Sequence, residues 1–200
     1  SDNSIKELVE EQVRQRRYAI DDAEVKPYFP LERMVAAAFD CAERLFGVRF
    51  VKCQGLELYH PDVDAYEVRA RGGALVGVFL HDNFARPSKR SGAWMSHYRH
   101  QTRNTGGGGE AVLPIVVNNN NFSAGAPGEP VLLSIDDART LFHEFGHGLH
   151  GMLSAVRYPL LAGTRVAQDF VELPSQLFEH WLLEPQVLRQ HARHVETGEP

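Results

Sequence analysis

His143, Glu144 and His147 lie in the segment HEFGH of this 200-residue sequence, and their types and spacing suit hydrolytic chemistry. On an α-helix, residues four apart sit about one turn apart on one face, so the two imidazoles can converge on a single ion. Glu144 is offset by about 100° around the same helix, a place from which it can take a proton from a water that the ion activates. Two neutral imidazoles and a carboxylate suit Zn2+, one ion per chain, with a further position left open. A metal-activated water with a glutamate general base is a way to hydrolyse a peptide bond.

The third protein ligand sets the subclass. A metzincin would need Gly at 150 and His at 153, but the sequence has His150 and Leu153 there. The other solution is a glutamate on a second helix, and Glu172 and Glu179 in DFVELPSQLFEHW are both candidates. Glu184, just before Pro185, reads as a solvated helix end. His150 continues the metal face at i+7 and reads either as a support for a ligand or as a packing residue. Glu179 likewise reads either as the group that orients a ligand or as a surface charge, since metal ligands need oriented partners. His81, His97, His100 and His180 read as surface or cleft-lining polar groups rather than ligands.

The elements that must position these groups show in period and punctuation. Residues 4–19 read as a helix. Leu31, Met34, Val35, Ala38, Phe39, Ala42, Leu45 and Phe46 mark the buried face of a stronger one, closed by Gly47. VRFVKCQ, AYEVRAR and ALVGVFL then read as strands, with Gly72-Gly73 as a hairpin turn between the last two. A loop rich in Arg, Lys and Ser follows, then the tetraglycine run 106–109, read as a flexible hairpin tip. The segment Val112–Asn118 contains Pro114, which cannot donate to a ladder, and is therefore expected at a sheet edge. From such an edge the backbone of Val116, Val117 and Asn118 would pair with an extended peptide. NNNNFSAGAPGEP reads as loop. SIDDARTLFHEFGHGLHGML reads as the metal helix, with an N-cap and early acids. A second helix is expected over about residues 169–183, kinked or starting late because of Pro174. The fold class expected is α+β: predominantly α with a small, mainly antiparallel sheet, and the active-site helix beside an edge strand. Within one domain over residues 1–200, the helical part is 1–47, the sheet 48–118 and the zinc-site helices 134–185.

A net charge of −5 argues against a nucleic-acid partner. No apolar run is long enough to span a bilayer, and the polar N-terminal segment has no secretory h-region. Cys41 and Cys53 are too few for a disulfide framework and read as reduced thiols, which places the protein in the cytoplasm.

HEFGHGLHG followed by GTRVAQDFVELPSQLFEHW resembles the thimet oligopeptidase family of zinc metallopeptidases, in particular its peptidyl-dipeptidase Dcp branch. ERLFG, KRSGAWM, RHQ and the NxxFS before GEP extend the resemblance along nearly the whole chain. The resemblance implies a zinc held by His143, His147 and the glutamate of DFVE, Glu172, with Glu144 as base. It implies short peptides as substrates, with C-terminal dipeptides released in the Dcp branch. It also implies a longer catalytic domain, truncated here at both ends, with substrate-contacting His and Tyr residues beyond position 200 and apolar surface left open to self-association. A contrasting reading is a folded but inactive piece in which zinc is structural or absent.

Overall fold

The computed structural model describes residues 22–106, 109–126 and 128–200. The helix expected over residues 4–19 and the centre of the tetraglycine run lie outside them. A short helix α1 (Asp22–Val25) leads into α2 (Leu31–Phe46), whose buried residues include Leu31, Met34, Ala38, Cys41 and Ala42. Gly47 ends α2 at φ 68°, the left-handed conformation that glycine adopts without steric cost.

Strands β1 (Val48–Lys52), β2 (Val63–Ala70), β3 (Leu75–Phe84), β4 (Trp94–Arg99) and β5 (Ile115–Phe122) form one sheet in the order β1-β2-β3-β5-β4. The β3–β5 pairing is parallel and the other three are antiparallel. This is a mixed sheet in an α+β fold. Helix α3 (Ile135–Met152) packs across the sheet, and α4 (Leu173–Glu179) and α5 (Pro185–His191) follow.

Two expectations about the sheet are corrected. The strand expected at the edge is internal: β5 is bonded to β3 on one side and to β4 on the other. Pro114 stands just before it, and its carbonyl accepts from the Val78 amide, so the missing N–H falls outside the ladder. Val116, Val117 and Asn118 are buried at 0%, 2% and 0% exposure, their backbone committed to neighbouring strands. The edge belongs to β4, within a stretch expected to be loop.

The asparagine run was also expected to be loop, yet Asn118–Asn121 all lie in β5. The side chains explain how. Asn120 Nδ2 donates to Asn83 Oδ1 at 2.9 Å within the sheet, and Asn121 Nδ2 donates to the carbonyls of Arg90 and Gly92 at 2.8 and 2.6 Å. Amides that usually compete with a strand's own backbone are spent here on neighbouring segments.

Phe145 is the hub of the core. Its ring centroid lies 5.4 Å from Phe39 of α2, 5.2 Å from Phe50 of β1, 5.4 Å from Phe79 of β3 and 5.6 Å from Phe178 of α4. Such aromatic contacts contribute about 0.5–1.5 kcal/mol each beyond the area they bury. Phe145 is two positions from His143, so anchoring it inward turns the histidine face of α3 outward. Cys41 and Cys53 are unpaired thiols, and burial pushes the Cys41 thiol up to about 11.

Candidate metal and active site

Helix α3 starts with a reciprocal cap. The Asp137 amide donates to Ser134 Oγ at 3.0 Å, and the Ser134 amide donates to the Asp137 carboxylate at 3.2 Å. From that fixed start, His143 and His147 project from one face with ring centroids 4.9 Å apart.

The second helix starts late, at Leu173, with Pro174 in its first turn, where a missing N–H costs nothing. Glu172 is therefore its N-cap residue, and its carboxylate reaches back to α3. Glu172 Oε2 lies 3.1 Å from His143 Nε2 and 3.0 Å from His147 Nε2. Four-coordinate zinc with bonds of about 2.0–2.2 Å would hold neighbouring ligand atoms about 3.3–3.5 Å apart, so the three atoms fit around one small cation. His143, His147 and Glu172 are the one such group of metal-capable side chains among the described residues.

Hydrogen-bond bookkeeping supports the fit. His143 Nδ1 sits 2.6 Å from Glu179 Oε1 and Nε2 sits 3.1 Å from Glu172 Oε2, so both ring nitrogens face carboxylates. A neutral imidazole has one N–H to donate. With Nδ1 engaged by Glu179, Nε2 is the nitrogen turned towards Glu172 and His147, where a cation would sit.

The charge states also suit a ligand set. Burial holds His147 below the usual histidine range, against the opposing pull of the Glu172 carboxylate. Burial pushes the Glu172 carboxyl up, but the Ser175 hydroxyl and the charges of His147 and His143 outweigh it, so the group ionises more readily than usual. Ser175 Oγ lies 2.8 Å from Glu172 Oε2 and 2.9 Å from its carbonyl, which fixes the carboxylate's direction. A neutral imidazole and an ionised carboxylate are the forms that bind metal.

Glu144 is 7% exposed, and its Oε2 is buried without a hydrogen-bond partner among the described residues. Burial pushes its carboxyl up to about 7, with Glu172 adding to the rise and His143 and Arg90 opposing it. Glu144 lines a cavity of about 390 Å³ with His143, His147, Glu172, Val171 and Ala93, Trp94 and Met95 of the β4 edge. A larger cavity of about 670 Å³ lies between α2, α3 and α4, lined by Leu45, Phe46, Leu149, Leu173 and Leu177 among others, and is apolar.

His150 contacts neither motif histidine by a hydrogen bond; its ring meets Phe170 edge-on at 6.3 Å and its Nδ1 is buried without a partner among the described residues. His81, expected at the surface or in a cleft, is 2% exposed inside the sheet. The residues that sequence reasoning passed over are Ser175 and the glycines of α3. A Cβ on Gly146 would stand 2.7 Å from Ser175 Cα and 2.8 Å from the Pro174 carbonyl, and one on Gly148 would stand 3.1 Å from Asn118 Oδ1. Glycine at 146 lets α4, and Glu172 with it, approach α3. The spacing GHG inside an apolar helix is the signal that could have pointed there.

Residues 7–200 match the model of Peptidase family M3. The chain belongs to that family. It is 43% identical over 190 residues to the dipeptidyl carboxypeptidase of Salmonella typhimurium, an alignment covering 94% of this chain and 27% of that protein. It is 38% identical over 191 residues to oligopeptidase A of Escherichia coli, covering 95% and 28%. A protein of Arabidopsis thaliana named probable cytosolic oligopeptidase A is 36% identical over 193 residues, covering 94% and 28%. The M3 chain thus spans little more than a quarter of the length of these relatives. Among its described residues, no helix is long and apolar enough to cross a membrane.

Proposed function

We propose that this M3 chain carries the zinc-binding core of a peptidase that hydrolyses short peptides. The observation that carries the reading is the convergence of His143 Nε2, His147 Nε2 and Glu172 Oε2, with the other nitrogen of His143 already engaged by Glu179. These three residues would hold the ion. When bound, zinc supplies an electrophile that polarises a carbonyl and makes a water acidic near neutral pH.

The chain's own residues do the rest. Glu144 Oε2, buried and unpartnered, accepts the proton of the attacking water and returns it to the departing amine. Its carboxyl at about 7 suits both transfers near neutral pH. Ser175 and Glu179 keep Glu172 and His143 aimed at the ion. The β4 edge at Ala93–Met95, beside these groups, offers backbone for an extended peptide to pair with. Release of C-terminal dipeptides, as the name of the Salmonella relative suggests, and a cytoplasmic location, as that of the Arabidopsis relative suggests, belong to the same proposal.

The contrasting reading is a folded but inactive chain in which zinc is structural or absent. An apolar groove runs past Leu173 and Leu177, which are 53% and 58% exposed. Such a surface also predicts self-association of the purified chain, measurable by sedimentation at rising concentration.

The test is elemental analysis of the purified chain with cleavage of an internally quenched peptide. One zinc per chain, lost in Glu172→Ala, together with cleavage above the metal-stripped baseline, is the expected result. Undiminished zinc in Glu172→Ala would refute the ligand set. Stoichiometric zinc without cleavage would favour the structural-metal reading.

A further inference from the structure

Arg90 stands at the rim of the site with its donors unspent. Its guanidinium carbon lies 4.4 Å from the Trp94 ring centroid, and among the described residues the guanidinium enters no ion pair or hydrogen bond. Its neighbours are different. Arg86 donates to both Asp82 oxygens at 2.7 and 2.6 Å, and Lys89 donates to Asp82 and to the carbonyls of Phe84 and Asn120. Two of the three cations of this loop therefore anchor it to the sheet, and the third is left exposed.

The backbone beneath Arg90 is pinned as well. Asn121 Nδ2 donates to the Arg90 and Gly92 carbonyls, and Gly92 turns the chain at φ 80° into β4. The contact with the Trp94 ring then holds the guanidinium over that face by cation–π attraction. Trp94, with Ala93 and Met95, lines the cavity that holds His143, Glu144, His147 and Glu172.

We propose that Arg90, stacked on Trp94, is the receptor for a carboxylate of the bound peptide and so sets a preference for acidic or free C-terminal ends. The proposal rests on the peptidase reading above. A planar guanidinium already held in place can take a carboxylate with two parallel N–H donors, which a lysine would bind only as a point charge. The carboxylate is either the peptide's C-terminus or an acidic side chain, and the two differ in which chemical block removes binding.

The experiment uses the zinc-loaded chain and titration calorimetry with four probes: an N-acetyl alanyl dipeptide as free acid and as amide, and N-acetyl dipeptide amides ending in Glu or Gln. Wild-type protein is expected to bind at least one acid about tenfold more tightly than its neutral counterpart, the usual scale for a hydrogen bond to a charged group. Arg90→Met should remove that preference and leave affinity for the neutral probes unchanged; Arg90→Lys should keep part of it. Preference for the free acid alone assigns the C-terminus, and preference for Glu over Gln assigns a side chain. Zinc content and cleavage of an amidated quenched peptide, measured on the same samples, report separately on the peptidase reading. A wild-type protein without acid preference, or an Arg90→Met variant that retains it with zinc intact, would overturn the proposal.

Discussion

Glu179 Oε1 lies 2.6 Å from His143 Nδ1, joining the end of α4 to the metal face of α3. A carboxylate on the far nitrogen fixes the tautomer of a histidine and makes its near nitrogen a better ligand. Glu179→Gln keeps the shape but removes the charge and allows the amide to present its oxygen. Glu179→Ala leaves Nδ1 with neither. Zinc affinity should fall about 10–100-fold in Glu179→Ala and less in Glu179→Gln. Competition against a chromophoric chelator measures both. Equal affinity in all three proteins would reduce Glu179 to a surface charge.

Glu144 touches none of the three ligand atoms through a hydrogen bond and lies turned into the same cavity. Glu144→Gln should therefore keep zinc at one per chain while turnover of a peptide falls about 10²–10⁴-fold, the usual scale of a lost general base. The comparison belongs in any form of the protein that cleaves measurably. Retained turnover would place the base elsewhere.

Gly146→Ala should weaken metal binding from a position that supplies no ligand atom. The added Cβ would meet backbone, Ser175 Cα at 2.7 Å and the Pro174 carbonyl at 2.8 Å, so α4 must move outward. Glu172 sits at the N-terminus of α4 and moves with it. The loss in zinc affinity should exceed any gain in helix propensity from alanine, about 1 kcal/mol. Gly72→Ala, with nothing within 4 Å of its added Cβ and no left-handed backbone, is a surface control far in sequence from the residues proposed as ligands. Unchanged zinc affinity in Gly146→Ala would show that the helix pair has slack.

Stability should fall with acid in a window set by His81. Burial lowers its pKa from 6.5 to about 4, a shift that the charges of Asp64 and Asp82 oppose and that of Lys89 reinforces. The unfolded chain binds a proton below 6.5 and the folded chain only near 4, so the contribution is fully present above 6.5 and is lost as pH falls towards 4. A displacement of that size corresponds to about 3 kcal/mol as an upper bound. Urea unfolding at pH 7 and pH 5 should show the loss, and His81→Leu should flatten it. A His81→Leu variant with the wild-type pH slope would shift the cause to other histidines, of which the half-buried His97, pushed by burial to about 4, is the next.

Much of the chemistry was legible because it is local. The phase of HEFGH, the Ser134 cap, the buried stripe from Leu31 to Ala42 and the late start enforced by Pro174 all follow from neighbours within a turn or two, whereas Leu45 and Phe46, expected on that buried face, are 40% and 51% exposed. A helix fixes the relative directions of residues that close. Which glutamate completes the set was not local: Glu172 and Glu179 both lie near the second helix, and only the resemblance to known metallopeptidases favoured Glu172. In the fold, Glu172 sits at the helix start facing both Nε2 atoms and Glu179 at its end facing one Nδ1, which supports the proposal that Glu172 is the ligand. Strand order was decided in the same way. Period-two patterning reports which face a residue takes and not which strand lies beside it, so β5 read as an edge when it is central and β4 passed as loop. The four consecutive asparagines carry no strand signal; their strand is held by backbone ladders to β3 and β4, and the amides of Asn120 and Asn121 bond residues 29–37 positions away. Contacts at that separation are written only in the folded chain.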